Sequence, residues 1–342
     1  MNKDVIIKSS EVVVSAGNVG YPPLAPYSPG SNFPEYPFSQ ETISSEDNNA
    51  YNGVREALRL LGYDQENYDS EKWNPLGGII KTGDTVVLKP NFVRDFRETY
   101  SGHENCLITH GSIIRAVMDY VYIALQGKGR ITIADAPQND ADFNNIAQIS
   151  ELDAIKKFYK EQAGFEVDIF DLRPECATKV KGVIIGHEKL PGDPKGYVKV
   201  NLGNNSMFSE IGELCNLLYG SEYDTSEIRS HHTNGVHEYL VSKTILEADC
   251  IINLPKLKTH KKTGITVCMK NLVGINGNKN WLPHHREGTP SQGGDQFADE
   301  CVKRSNAFLY SSFAFWACSM LFPSALLITM ASACSKIPFF MP

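Results

Sequence analysis

The feature that most limits how this chain can fold is a device repeated through its middle, in which a short β-branched run is stopped by proline and followed by a stretch of helical periodicity. Residues 85–89 read TVVLK and meet Pro90, 130–135 read RITIAD with Pro137 close behind, and 250–254 read CIINL and meet Pro255. Proline fixes where each chain must leave its strand. Between the first two runs, Ile113, Val117, Val121 and Leu125 recur on one helical face, with Gly127 and Gly129 as stops. A strand, a helix and a strand in succession predict parallel pairing through a crossover. The unit recurs at 150–164 and 166–172 (EVDIFDL), where Ser150 and Asp153 have the spacing of a capping box. Val54, Leu58 and Leu61 predict a further helix over 49–62. GVIIGHE (182–188) and YVKVNL (197–202) flank a Pro/Gly loop and predict a hairpin, and 238–248 predicts a helix leading into the strand at 250. The expected fold class is α/β: a mainly parallel sheet flanked by helices, with an inserted antiparallel hairpin region.

Around that centre the composition changes twice. Residues 20–40 are rich in Pro, Tyr and Ser and predict an extended segment, so 1–48 is read as an N-terminal arm and 49–304 as the α/β domain. Residues 305–335 then run without a charge, enough to span a bilayer at about 20 residues. A membrane anchor, a buried C-terminal helix containing Pro323, and a non-native end such as a shifted reading frame would produce all meet that description, so 305–342 is set apart as an apolar tail. Asp4 and the lack of a continuous apolar run beside it do not fit a signal peptide, which makes the cytoplasm the expected compartment, with membrane association through 305–335 as the exception. Eight cysteines without a C-x-x-C predict reduced thiols rather than a zinc ribbon or a self-contained iron–sulfur cluster.

Charge supplies the functional signal. The chain carries 33 Lys+Arg against 40 Asp+Glu, a net charge of −7, which argues against a nucleic-acid partner. Yet residues 251–286 hold no acid at all and seven bases: Lys256, Lys258, Lys261, Lys262, Lys270, Lys279 and Arg286. A positive zone in an acidic protein concentrates anions. In open α/β sheets ligands sit beyond the carboxyl ends of the strands, where this chain places Lys89 and Asn91, Asp135, and Lys256 to His260. The expected partner is therefore a phosphate- or carboxylate-bearing small molecule. Its expected ligands are Lys89, Asn91, Lys256, Lys258, Thr263, Gly264, Asn271, His284, His285, Arg286 and Asp295, with His260, Asp135 and Lys270 as the catalytic residues. A helix opening near Thr263 would set His260 beside its N-terminus and, with Lys258, Lys261 and Lys262, keep the imidazole neutral as a general acid/base. A divalent metal held by Asp135 is compatible with this reading, and no particular cofactor is indicated. His231, His232 and His237 are spaced for a metal but lack a carboxylate pair, so they are read as core or surface histidines. The expected function is an enzyme acting on the anion; a non-catalytic, membrane-tethered binding protein is the alternative.

The residues also carry a resemblance. VVLKPNFV (86–93), THGSIIRAVMDYV (109–121), ITIADAPQND (131–140), NLPKLKTHKKTGITVCMKNLVGI (253–275) and LPHHREGTPSQGGDQF (282–297) resemble, in order, the motifs of the domain-of-unknown-function family 362. That resemblance implies no settled reaction. Some members carry ferredoxin-type cysteine clusters, which this chain does not have. More remotely, His260, Thr263, Gly264, Thr266 and Lys270 are similar in spacing to a run in the lactate racemase family whose lysine holds a nickel-pincer nucleotide. Val267, Cys268 and Met269 stand where that run has small residues, so the likeness implies related architecture rather than that cofactor.

Overall fold

The structure, a computed structural model, describes residues 12–17, 20–95, 106–180, 183–220, 225–233, 235–260, 264–296 and 329–332. In chain order the helix α1 (Asn49–Leu60) precedes β1 (Thr85–Pro90), α2 (Gly111–Leu125), β2 (Arg130–Asp135), α3 (Phe143–Ile149), α4 (Leu152–Ala163) and β3 (Val167–Asp171). An antiparallel region follows: β4 (Glu175–Val180), β5 (Val183–Lys189), β6 (Tyr197–Asn201), β7 (Leu218–Tyr219), α5 (Ser226–His231), β8 (His232–Thr233) and β9 (Val236–Ser242). The chain then re-enters the main sheet through α6 (Lys243–Leu246) and β10 (Cys250–Leu254). It ends in β11 (Lys258–His260), β12 (Gly264–Thr266), α7 (Cys268–Asn271), β13 (His285–Arg286) and β14 (Thr329–Ser332). The central sheet has the order β14-β10-β1-β2-β3, with β10, β1, β2 and β3 mutually parallel and β14 antiparallel at the edge. The expected α/β class is what is observed.

Period-two alternation gives that sheet two buried faces. Val86 and Leu88 of β1, Ile131 and Ile133 of β2, and Cys250, Ile252 and Leu254 of β10 pack with α1, α2 and α4 on one side. Val87, Ala134 and Ile251 point the other way, against Tyr239 and Val241 of β9 and against Ile275 and Leu282. The N-terminal segment is bound to the first layer: Asn48 donates to the carbonyls of Tyr27 and Ser28, and buried Glu35 takes two hydrogen bonds from Arg55 and one from Tyr120. Within the same layer a fully buried pair, Arg115 and Asp119, closes at 2.8 Å, and Tyr51 and Tyr159 donate to the carboxylate.

Four local expectations are corrected. The stretch expected as a helix over 238–248 begins as strand β9 and is helical only over α6 (Lys243–Leu246), because His237, Tyr239 and Val241 alternate into the core while the backbone pairs with β6. Consequently β6 does not form a hairpin with β5; β5 pairs with β4, and β6 with β9. Ser150 closes α3 rather than opening α4, whose first cap is Glu151 with a positive φ of 53°. Strand stands where a helix was expected after Thr263: Lys258–His260 (β11) pairs antiparallel with Gly264–Thr266 (β12), which Gly264 opens at φ 76°, and α7 begins only at Cys268. Residues 305–335 lie outside the described residues except for β14. Among the described residues no helix is long and apolar enough to cross a membrane.

Candidate functional site

The strand order fixes where a site can form. From β1 the chain moves to β2 and β3 on one side, and later returns to β10 on the other, so the topological switch point, where open α/β sheets hold ligands, lies at the carboxyl ends of β1 and β10. Lys89 and Asn253 are register partners there. Lys89 is fully buried, and its ammonium lies 2.7 Å from Asp135 Oδ1 at the tip of β2. The same nitrogen donates to the carbonyl of Pro90 at 2.8 Å and to Asn271 Oδ1 at 3.1 Å. Burial lowers the Lys89 pKa, and the carboxylate of Asp135 opposes that shift. The other oxygen of Asp135 accepts the amide of Phe92 at 2.7 Å.

Asn271 ties the strand tips together. Its Nδ2 donates to the Lys89 carbonyl and to Asn253 Oδ1, while its Oδ1 accepts from Lys89 and from Asn91 Nδ2 at 2.9 Å. The four-residue helix α7 delivers this side chain, and Asn253 Nδ2 holds the helix by donating to the Cys268 carbonyl. Gly274 follows because nothing larger fits: a Cβ there would stand 1.8 Å from Asp135 Oδ1 and 2.6 Å from Lys89 Nζ.

Two further lysines close on this pair. Lys258, on β11, donates to Asn91 Oδ1 and to the Leu107 carbonyl. Burial pushes its pKa down to about 7, Lys256 and Lys89 add repulsion, and Asp135 and Cys106 oppose the shift. Lys279, 5% exposed, donates to the carbonyls of Val273 and Asn276 at 3.0 and 2.8 Å. Its pKa is likewise pushed down to about 7 by burial, against the pull of Asp135. Lys89 thus pairs with Asp135, whose charge also acts on Lys258 and Lys279.

The structure brings Lys89, Asn91, Asp135, Lys258 and Asn271 of the expected site together. Lys256 turns to the N-terminal segment, where it donates to the Tyr21 hydroxyl at 2.8 Å. Thr263 lies outside the described residues, and Gly264, exposed at φ 76°, opens strand β12 rather than a helix. His260 ends β11 on the same face as Lys258, since they are two residues apart, and has no helix N-terminus beside it. Lys270 sits on α7, and its charge bears on His284. His285 stacks on Tyr219, and Asp295 binds the amide of Arg286 at 2.8 Å with the guanidinium 3.5 Å away, so those residues brace one another. Sequence reasoning missed Asn253, Asn276 and Lys279 as site residues, and read Gly274 only as a glycine of the charge block. Lys279 stood in the charge block but carried no motif of its own.

His232 and His237 are buried, their Nδ1 atoms 3.2 Å apart, and His232 Nε2 meets the Trp281 carbonyl at 2.7 Å. The carbonyl can only accept, so His232 carries its proton on Nε2 and Nδ1 accepts from His237. His231 pairs with Glu238 at 2.8 Å and stacks on Trp281. Among the described residues no group of three His, Cys, Asp or Glu side chains is placed to hold a metal ion.

Fold and site define an α/β protein with a buried lysine cluster at the switch point of a parallel sheet. Residues 183–333 match the family model described as domain of unknown function (DUF362), which bears out the resemblance over that stretch. The match includes β10, the β11–β12 hairpin, Asn271 and Lys279; Lys89, Asn91 and Asp135 lie before it. No curated protein and no solved structure matches this chain, and the likeness to the lactate racemase family gains no support from these comparisons.

Proposed function

We propose that the protein is an enzyme acting on a phosphate- or carboxylate-bearing small molecule held at the carboxyl ends of β1, β2 and β10. One observation supports the reading: Lys89 already holds the single carboxylate of Asp135 at 2.7 Å, while Lys258 and Lys279, whose charges also feel it, donate only to neutral amide and carbonyl oxygens. An anion would supply the missing negative charge. Lys89, Asn91, Lys258 and Asn271 form its floor, and His260, on Lys258's face of the hairpin, is the proton-transferring group.

The competing reading is a non-catalytic binding protein, which the 305–335 run would tether to a membrane. A specific observation favours it: both oxygens of Asp135 are engaged, by Lys89 and by the Phe92 amide, so Asp135 positions Lys89 rather than acting as a free base.

Thermal unfolding of the full chain with inorganic phosphate, pyrophosphate and a dicarboxylate, against a neutral polyol, tests the shared part. Anions should raise the midpoint and the polyol should not. Lys258→Met should weaken the anion by roughly 1.5–3 kcal/mol per bond lost. No response to any anion, or an equal response in the variant, would sink the assignment. Once native mass spectrometry has named a co-purified ligand, His260→Gln separates the two readings. An enzyme loses at least about a hundredfold in turnover with affinity kept; a binder is indifferent.

A further inference from the structure

We infer that Lys279 and Asn276 form an oxyanion subsite behind the Lys89–Asp135 pair, shaped for a doubly charged group such as a phosphoryl. The inference deepens the reading above and rests on it. The titratable groups that act on the Lys279 charge include Asp135, Lys89, Arg173 and Asp171, two of each sign, and Lys279 in turn acts on His284, whose pKa burial lowers to about 4 so that it is neutral near pH 7. The first four cancel among themselves: Lys89 pairs with Asp135 at 2.7 Å, and Arg173 pairs with Asp171 at 2.7 Å. The ammonium form of Lys279 is left without a carboxylate of its own. Its hydrogen bonds to Val273 and Asn276 go to neutral carbonyls, which leaves one of the three ammonium protons for another acceptor.

The second observation is independent of charge. Asn276 is 0% exposed, and its Nδ2 is buried with no hydrogen-bond partner. Exchanging its oxygen and nitrogen does not repair this, because Oδ1 already accepts the Asn278 amide at 3.1 Å. A side-chain amide and an ammonium with a donor to spare thus belong to two buried residues joined by the bond from Lys279 Nζ to the Asn276 carbonyl. Lys258, whose charge feels Lys256, Lys89 and Asp135, is a second lysine with its pKa lowered to about 7. Two lysines that can each take up a proton suit a dianion better than a monocarboxylate.

A consequence follows that distinguishes this subsite from a plain basic surface. Burial holds Lys279 near neutrality, so above pH 7 it is largely an uncharged amine. A bound dianion favours the ammonium form, and binding therefore draws a proton from solution onto Nζ. Lys258 does the same separately.

The test is titration calorimetry of the full chain at pH 8 with inorganic sulfate, which does not itself titrate there, in two buffers of different ionisation heat. The parent should take up protons on binding. Lys279→Met should take up about one proton fewer per sulfate and bind at least about tenfold more weakly. Lys258→Met should retain the Lys279 proton. Should Lys279→Met fail to fold, Lys279→Arg, which keeps the charge and never sheds it, should bind without that proton. Asn276→Ala should weaken sulfate with the proton count unchanged. Parental affinity and proton uptake in the Lys279 variants would overturn the subsite and leave the anion reading standing. No binding of sulfate or phosphate by the parent would remove both.

Discussion

Replacing Asp135 with Asn tests whether the Lys89–Asp135 pair organises the strand tips. The exchange keeps shape and removes one charge, leaving an ammonium with 0% side-chain exposure and no counter-ion. Lys89 then has two options. If it stays charged, the cost is that of breaking a buried pair, about 3–5 kcal/mol. If it sheds its proton from an ordinary value of 10.5, the cost at pH 7.5 is about 4 kcal/mol, at about 1.4 kcal/mol per unit. The two routes agree at neutral pH and part above it, because only the second becomes cheaper, reaching about 2 kcal/mol at pH 9. Urea unfolding followed by fluorescence, with the 1% exposed Trp73 as a buried reporter, should show Asp135→Asn less stable by about 4 kcal/mol at pH 7.5. The deficit should halve by pH 9, and Lys89→Met added to Asp135→Asn should recover most of it. A deficit under about 1 kcal/mol at pH 7.5, the size of an exposed pair, would refute the reasoning.

The other predictions concern packing and proton linkage. Gly274→Ala puts a Cβ 1.8 Å from Asp135 Oδ1 and should lower stability by about 2–3 kcal/mol or more in the same assay. Lys258 and Lys279 have folded pKa values pushed down to about 7, so between about pH 7 and 10.5 the unfolded chain binds more protons. Stability should accordingly rise with pH, by about 1.4 kcal/mol per unit for each lysine. Unfolding between pH 7 and 8.5 should show each Lys→Met variant losing one such slope; Cys250, pushed up to about 12, acts in the opposite sense only at higher pH. Arg115→Met leaves buried Asp119 without its cation and should cost about 3–5 kcal/mol, read as a lower unfolding midpoint.

Much of the frame was legible because its signals are local. TVVLK, RITIAD and CIINL each hold a short β-branched run and a proline stop at or just beyond its end, and the strands fall within a residue of the expected bounds. The stretch from 236 misled because VHEYLVS fits either period until the sheet lying against it is known; the partner β6, more than thirty residues away, decides for strand. The β11–β12 pairing misled likewise, since Thr263 and Gly264 suit a helix start as well as a turn.

At the site the division is sharper. The sequence alone determined that positive charge concentrates in 251–286 and that polar residues follow the strands, because both are properties of neighbours along the chain. Only the tertiary structure decided that Lys279 lies beside Asp135, that Asn271 joins Lys89 to Asn253, and that Gly274 must be glycine. It also drew Lys256 away to Tyr21 and took up both oxygens of Asp135. The physical reason is that an ammonium's proton affinity depends on what surrounds it after burial. Those surroundings come from segments well over a hundred residues apart, which the order of residues does not record.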